Sequence, residues 1–127
     1  MADAPRYGKL TRLVLSCQAV YYLITGVWPV LSLRTFEAVT GPKTDDWLVR
    51  TVGLLAAVIG ATIGVAAWHG RRTPEVLLLA FGSALAFAAI DLVYALGGVI
   101  APIYLGDAAL QGLGVAVLAW SLGREEE

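Results

Sequence analysis

Two aspartates and one arginine stand in stretches that are otherwise nearly free of charge, and they are the residues best suited to do chemistry. Arg50 lies three residues before Gly53, Asp91 sits among Ala84, Ala88 and Ala95, and Asp107 precedes Gln111 by four. Two carboxylates facing one guanidinium leave a surplus negative charge, which a poorly solvated site must meet with a proton or a cation. Asp91, the deeper acid, is the expected place for it. Gln111, Tyr94 and Trp28 add the hydrogen-bonding and aromatic groups that line small-molecule pockets, with Gln18 deeper still.

Other chemistry finds little support. Cys17 is the single cysteine and His69 the single histidine, so an internal disulfide, a CxxC pair and a bis-histidine haem site are excluded within one chain. GxSxG, HExxH and phosphate-binding glycine loops are absent. No catalytic residue, metal ligand or cofactor is expected, and a non-enzymatic role is favoured. A net charge of -1 with scattered arginines gives no field for nucleic acid.

The elements that position these residues follow from composition. Of 127 residues, 58% are hydrophobic and 15% charged, where a water-soluble domain has about 25% charged residues. The solvent is expected to be lipid. The run from Leu13 to Leu33 is about 21 residues long, beyond the ~7–15 of a signal-peptide core, and so reads as a span. Further spans are expected at about 47–68, 75–98 and 102–122, the first helix covering about 10–33. Thr73-Pro74-Glu75 has the form of a cap, a first-turn proline and a first-turn acid. Thr44 or Asp45 is expected to cap the second span, after a polar connector from Arg34 to Asp46. No run alternates with period two, so an all-α, integral membrane four-helix antiparallel bundle is predicted, in one domain over 1–127.

Arg6, Lys9, Arg12, Arg71, Arg72 and Arg124 fall at one membrane end, and Arg34, Lys43 and Arg50 at the other, which predicts cytoplasmic termini. Trp47, Trp68 and Trp120 fall at helix ends, as belt residues do. Small residues mark the packed faces: Gly53, Ala57, Gly60, Gly64 and Ala67 form one stripe. Extended back by three residues, that stripe reaches Arg50 and turns it inward. Gln18, Tyr21, Thr25, Trp28 and Ser32 form a polar stripe on the first helix, with Tyr22 alongside. The expected site is a polar cluster of Arg50, Asp91, Asp107, Gln111, Tyr94 and Trp28 in the half of the bundle away from the termini. The same Arg50 and Asp91 could instead be an internal ion pair that holds register.

The block from Phe36 to Gly53 (FEAVTGPKTDDWLVRTVG) resembles an uncharacterised family of small four-span bacterial membrane proteins. That resemblance implies a bacterial inner-membrane protein and brings no activity. The architecture is also similar, at the level of fold alone, to sterol-isomerase and sigma-2-receptor type bundles. Small multidrug transporters place an acid in the first helix, where this chain has Gln18. The leading expectation is a protein that binds a small amphipathic molecule or lipid. Proton-coupled transport through a homo-oligomer and a structural or accessory subunit are the alternatives.

Overall fold

The computed structural model describes residues 6–125, and the last two acids of the C-terminal tail lie outside that range. Five helices follow in order: α1 (Lys9–Leu31), α2 (Leu33–Thr40), α3 (Asp46–His69), α4 (Pro74–Leu96) and α5 (Tyr104–Glu125). All but α2 are long and apolar enough to cross a membrane. At ~1.5 Å per residue each spans the roughly 30 Å of a hydrocarbon core. Their bulky apolar side chains point outward, among them Leu13, Ile24, Val58, Leu78, Val93 and Leu113. Small residues fill much of the inside instead, including Ala19, Ala56, Ala67, Ala80, Ala84 and Ala108. That distribution suits lipid as solvent, because lipid gives large side chains no reason to hide and close packing favours small ones.

The helix ends follow local chemistry. Thr73 caps α4 by accepting a hydrogen bond from the Val76 N–H at 3.4 Å, with Pro74 and Glu75 in the first turn, as the sequence predicts. Gly70 closes α3 in the left-handed conformation, φ +76°, and its N–H returns to the Ala66 carbonyl at 2.9 Å. Asp45 stands at the cap position of α3, but its carbonyl takes the bonds from Leu48 and Val49 and its carboxylate takes none.

Two connectors differ from expectation. Most of the first one is helical: α2 occupies Leu33–Thr40. The Thr35 hydroxyl accepts from the Trp28 indole N–H at 2.8 Å, and Phe36 meets the Trp28 ring edge-on with centroids 5.3 Å apart. Lys43 donates to the Thr40 and Gly41 carbonyls at 3.1 and 2.9 Å, neutralising the carbonyl end of α2. The last connector is longer than predicted: α4 stops at Leu96 and α5 starts at Tyr104 rather than Pro102. Gly98, at φ +77°, turns the chain there, and the Pro102 carbonyl accepts from Leu105 as α5 begins.

The α1–α3 seam is the tightest part of the fold. Gly26 lies against Gly53, Gly60 against Ala19 and Tyr22, and Gly64 against Ala19. The small-residue stripe read from the sequence therefore faces α1. On its other side, α1 meets α5 through Thr11, whose hydroxyl donates to that of Ser121 at 2.8 Å. The buried Leu15, Tyr22, Ile63, Ala80 and Leu118 join these helices in one core.

One end of the molecule is stitched together. The Tyr7 N–H donates to the Gly70 carbonyl at 2.9 Å, the Gly8 N–H donates to the Glu125 carboxylate, and Arg72 pairs with Glu125 at 3.7 Å. The segment before α1, the α3–α4 turn and the end of α5 thus share that end. Trp68 and Trp120 are exposed there and Trp47 at the other, consistent with two belts.

Candidate functional site

A continuous polar network crosses the interior where α1, α4 and α5 meet. Tyr22 is its hub and is 1% exposed. The Tyr22 hydroxyl donates to Gln111 Oε1 at 2.8 Å and accepts from Gln18 Nε2 at 3.2 Å, with Ser83 Oγ at 3.4 Å. Gln18 also donates to the Ala80 carbonyl at 2.9 Å, which ties α1 to the middle of α4. Gln111 Nε2 lies 3.5 Å from Asp107 Oδ1, and the Tyr21 hydroxyl donates to that same oxygen.

Asp91 completes the network. It is 5% exposed, faces the Asp107 carboxyl, and its Oδ2 is buried with no hydrogen-bond partner among the described residues. Counted from the Leu96 end of α4, Asp91 lies about 7 Å down, and Asp107 about 5 Å from the Tyr104 end of α5. Tyr22 is roughly 14 Å from the Leu31 end of α1 and Gln18 about 20 Å. The network therefore descends from near one membrane face to about mid-depth.

The structure brings Asp91, Asp107 and Gln111 together and leaves the other three expected residues out. Arg50 is exposed, and no ion pair or hydrogen bond joins it to either aspartate among the described residues. The buried side of α3 runs through Gly53, Ala56, Gly60, Ile63 and Ala67, in steps of three and four. Continued backward, that alternation takes a step of four to the half-buried Val49, not three to Arg50. Tyr94 is 43% exposed and makes no side-chain hydrogen bond in the cluster. Trp28 is engaged with Thr35 and Phe36 of α2.

Ser83 was missed, Tyr21 and Tyr22 were read as part of the polar stripe of the first helix but left out of the expected site, and Gln18 is more central than expected. Gln18 and Tyr22 are four apart, one helical turn, and that spacing was the available signal.

With Arg50 absent, the two interior acids have no cationic side chain against them among the described residues. Asp91 is buried and Asp107 half-buried beside it, and a carboxyl buried against a second carboxyl favours a proton or a cation at the pair. No group of three or more metal-ligating side chains occurs among the described residues.

Beside the network lies a cavity of about 510 Å³ between α1, α4 and α5, open to the surface and lined in part by the exposed Leu13, Cys17, Leu110 and Leu113. Leu10, Leu13, Leu113 and Val117 give it apolar walls, and Gln18, Tyr21, Tyr22 and Gln111 supply its polar groups. Its volume falls in the ~300–1,000 Å³ range of ligand pockets. Along α1 it extends from Leu10 to Tyr22, toward the end shared by the start of α1 and the end of α5, which is the opposite half of the bundle from the pocket expected from sequence. No known protein family, curated protein or solved structure matches the chain.

Proposed function

We propose that this chain is a bacterial inner-membrane protein, an antiparallel four-span bundle with cytoplasmic termini, that binds a small amphipathic molecule or lipid between α1, α4 and α5. The observation that carries this reading is the joining of an elongated apolar cavity to a buried hydrogen-bonding network through four shared side chains, Gln18, Tyr21, Tyr22 and Gln111. The walls suit a hydrocarbon chain and the network suits a polar head. The pairings of α1 with α3 and with α5, in which residue numbers rise on one helix as they fall on the other, support the antiparallel arrangement.

Gly114 provides the test. It lines the cavity, and a Cβ added there meets nothing within 4 Å. Gly114→Leu should therefore fill the cavity from α5 with the fold intact, and replacing a helical glycine should itself favour the helix by up to ~1 kcal/mol. Native mass spectrometry of the purified protein should show a co-purifying lipid or small molecule in the wild type and its loss in Gly114→Leu. Equal retention by both proteins, with unchanged circular dichroism, would remove the cavity from consideration.

A second reading, proton-coupled transport by a homo-oligomer, is favoured by the interior acid pair. Asp91→Asn keeps the side-chain volume and puts an amide N–H within reach of Asp107, so folding should persist. Vesicles carrying this variant should lose any substrate flux driven by a pH gradient. Gradient-driven flux that survives the substitution would eliminate Asp91 as the coupling group.

A further inference from the structure

We propose that Arg6, Arg12 and Arg71, gathered about the C-terminus of α3, form a binding site for the phosphate group of an anionic phospholipid. Arg12 donates through Nε to the Ala67 carbonyl at 2.9 Å and through Nη2 to the Trp68 carbonyl at 3.0 Å. Arg6 Nη2 donates to the His69 carbonyl at 3.1 Å. The two guanidiniums flank a single residue: a Cβ on Gly70 would lie 2.7 Å from Arg6 Nη2 and 3.6 Å from Arg12 Cζ. The backbone pairing of Arg6 with Arg71 holds the third arginine at the same turn.

Helix capping accounts for only part of this arrangement. The α3 C-terminus contributes roughly half a negative charge, against three positive ones. No carboxylate contacts Arg6, Arg12 or Arg71 among the described residues, and Glu125 is engaged with Arg72 and the Gly8 N–H. Each guanidinium has five N–H donors, and the carbonyls use three of the fifteen. The Arg71 side chain is exposed and makes no hydrogen bond among the described residues, so capping does not explain it. Beside it is a cavity of about 420 Å³ lined by Ala66, His69, Arg71 and Thr73.

The exposed Trp68 and Trp120 place this cluster at the level of the headgroups, where a phosphate arrives already attached to a lipid. The site is separate from the cavity between α1, α4 and α5 and does not depend on what that cavity holds.

The test uses the full chain in mixed micelles with equal amounts of dioleoyl phosphatidylglycerol and dioleoyl phosphatidylcholine, reading retained lipid by native mass spectrometry. The wild type should retain the anionic lipid several-fold over the zwitterionic one, and Arg71→Gln should bring the ratio close to one with its thermal midpoint unchanged. Arg34→Gln, at the other end of the molecule, should leave the preference intact. Equal retention by the wild type, a preference surviving Arg71→Gln, or an equal loss in Arg34→Gln overturns the proposal. If millimolar inorganic phosphate raises the thermal midpoint as much as phosphatidylglycerol does, the site takes free phosphate and the lipid assignment fails.

Discussion

Gly26→Ala should lower the thermal midpoint of the detergent-solubilised protein by several degrees, a loss on the order of 1–3 kcal/mol for one methyl group. A Cβ at this position would run into the Gly53 carbonyl oxygen and stand 2.8 Å from the Ala57 nitrogen. Both are backbone atoms, so no side chain can rotate away and the relief must come from separating α1 and α3. Separation also strips contact from Gly60, where a Cβ would meet the Ala19 carbonyl at 2.8 Å and Tyr22 Cβ at 2.9 Å. Because lipid provides no hydrophobic drive for helices to associate, close packing is the main source of their attraction, and loosening one contact loosens the whole seam.

Gly82 and Gly112 give the opposite sign. Nothing lies within 4 Å of a Cβ at either, so Gly82→Ala and Gly112→Ala should be neutral or stabilising by up to ~1 kcal/mol through helix propensity alone. If all three alanines behaved alike, the α1–α3 contact would not be what holds the fold. The double variant Gly26→Ala/Gly53→Ala should cost less than the sum of the two single changes, since helices already separated leave room for the second methyl.

The contrast between these glycines shows how far sequence reading reaches. The four long helices and the α4 cap were legible because length, charge-free runs and the Thr73-Pro74-Glu75 pattern are local properties. The inward face of α3 was legible because small residues recur along it at helical spacing. Arg50 failed at the end of that pattern: 100° per residue makes a three-residue and a four-residue step equally good locally, and only the observed phase of the seam decides between them. The α2 helix was hidden because it is short and carries no buried residue, leaving only its contact with Trp28 to reveal it. The partners of Asp91 and Asp107 depend on which helices are neighbours, and a single span does not encode that. Asp91 and Gln111 do face inward, yet it is α1, through Tyr21 and Tyr22, that supplies the hydrogen bonds to Asp107 and Gln111.

Tyr22→Ala should be the most damaging single truncation in the interior, costing roughly 3–5 kcal/mol by analogy with other buried aromatic residues. Tyr22 is among the largest fully buried side chains, and it touches every other long helix. Its Cβ side abuts Gly60 of α3, and its ring meets Phe87 of α4 edge-on with centroids 5.4 Å apart. Its hydroxyl reaches Gln111 of α5. Removing the ring leaves a void among four helices and takes the donor from Gln111 Oε1, while Gln18 keeps only its bond to the Ala80 carbonyl.

Tyr22→Phe separates the two contributions, keeping the ring and deleting only the hydroxyl. Interhelical hydrogen bonds in membranes average about 0.6 kcal/mol, so this variant should lose about that much, rising toward ~1.7 kcal/mol if the Gln111 carbonyl finds no other donor. Adding Gln111→Leu to Tyr22→Phe removes one stranded amide, so the double variant should be less damaged than the sum of its parts. Thermal unfolding of the four proteins completes the cycle. Strict additivity would mean that the two side chains are packed side by side without a shared bond. Strong coupling together with loss of a co-purifying molecule in Tyr22→Phe would place the hydroxyl in the binding surface as well as in the framework, since a ring that packs unchanged gives no other reason for the ligand to leave.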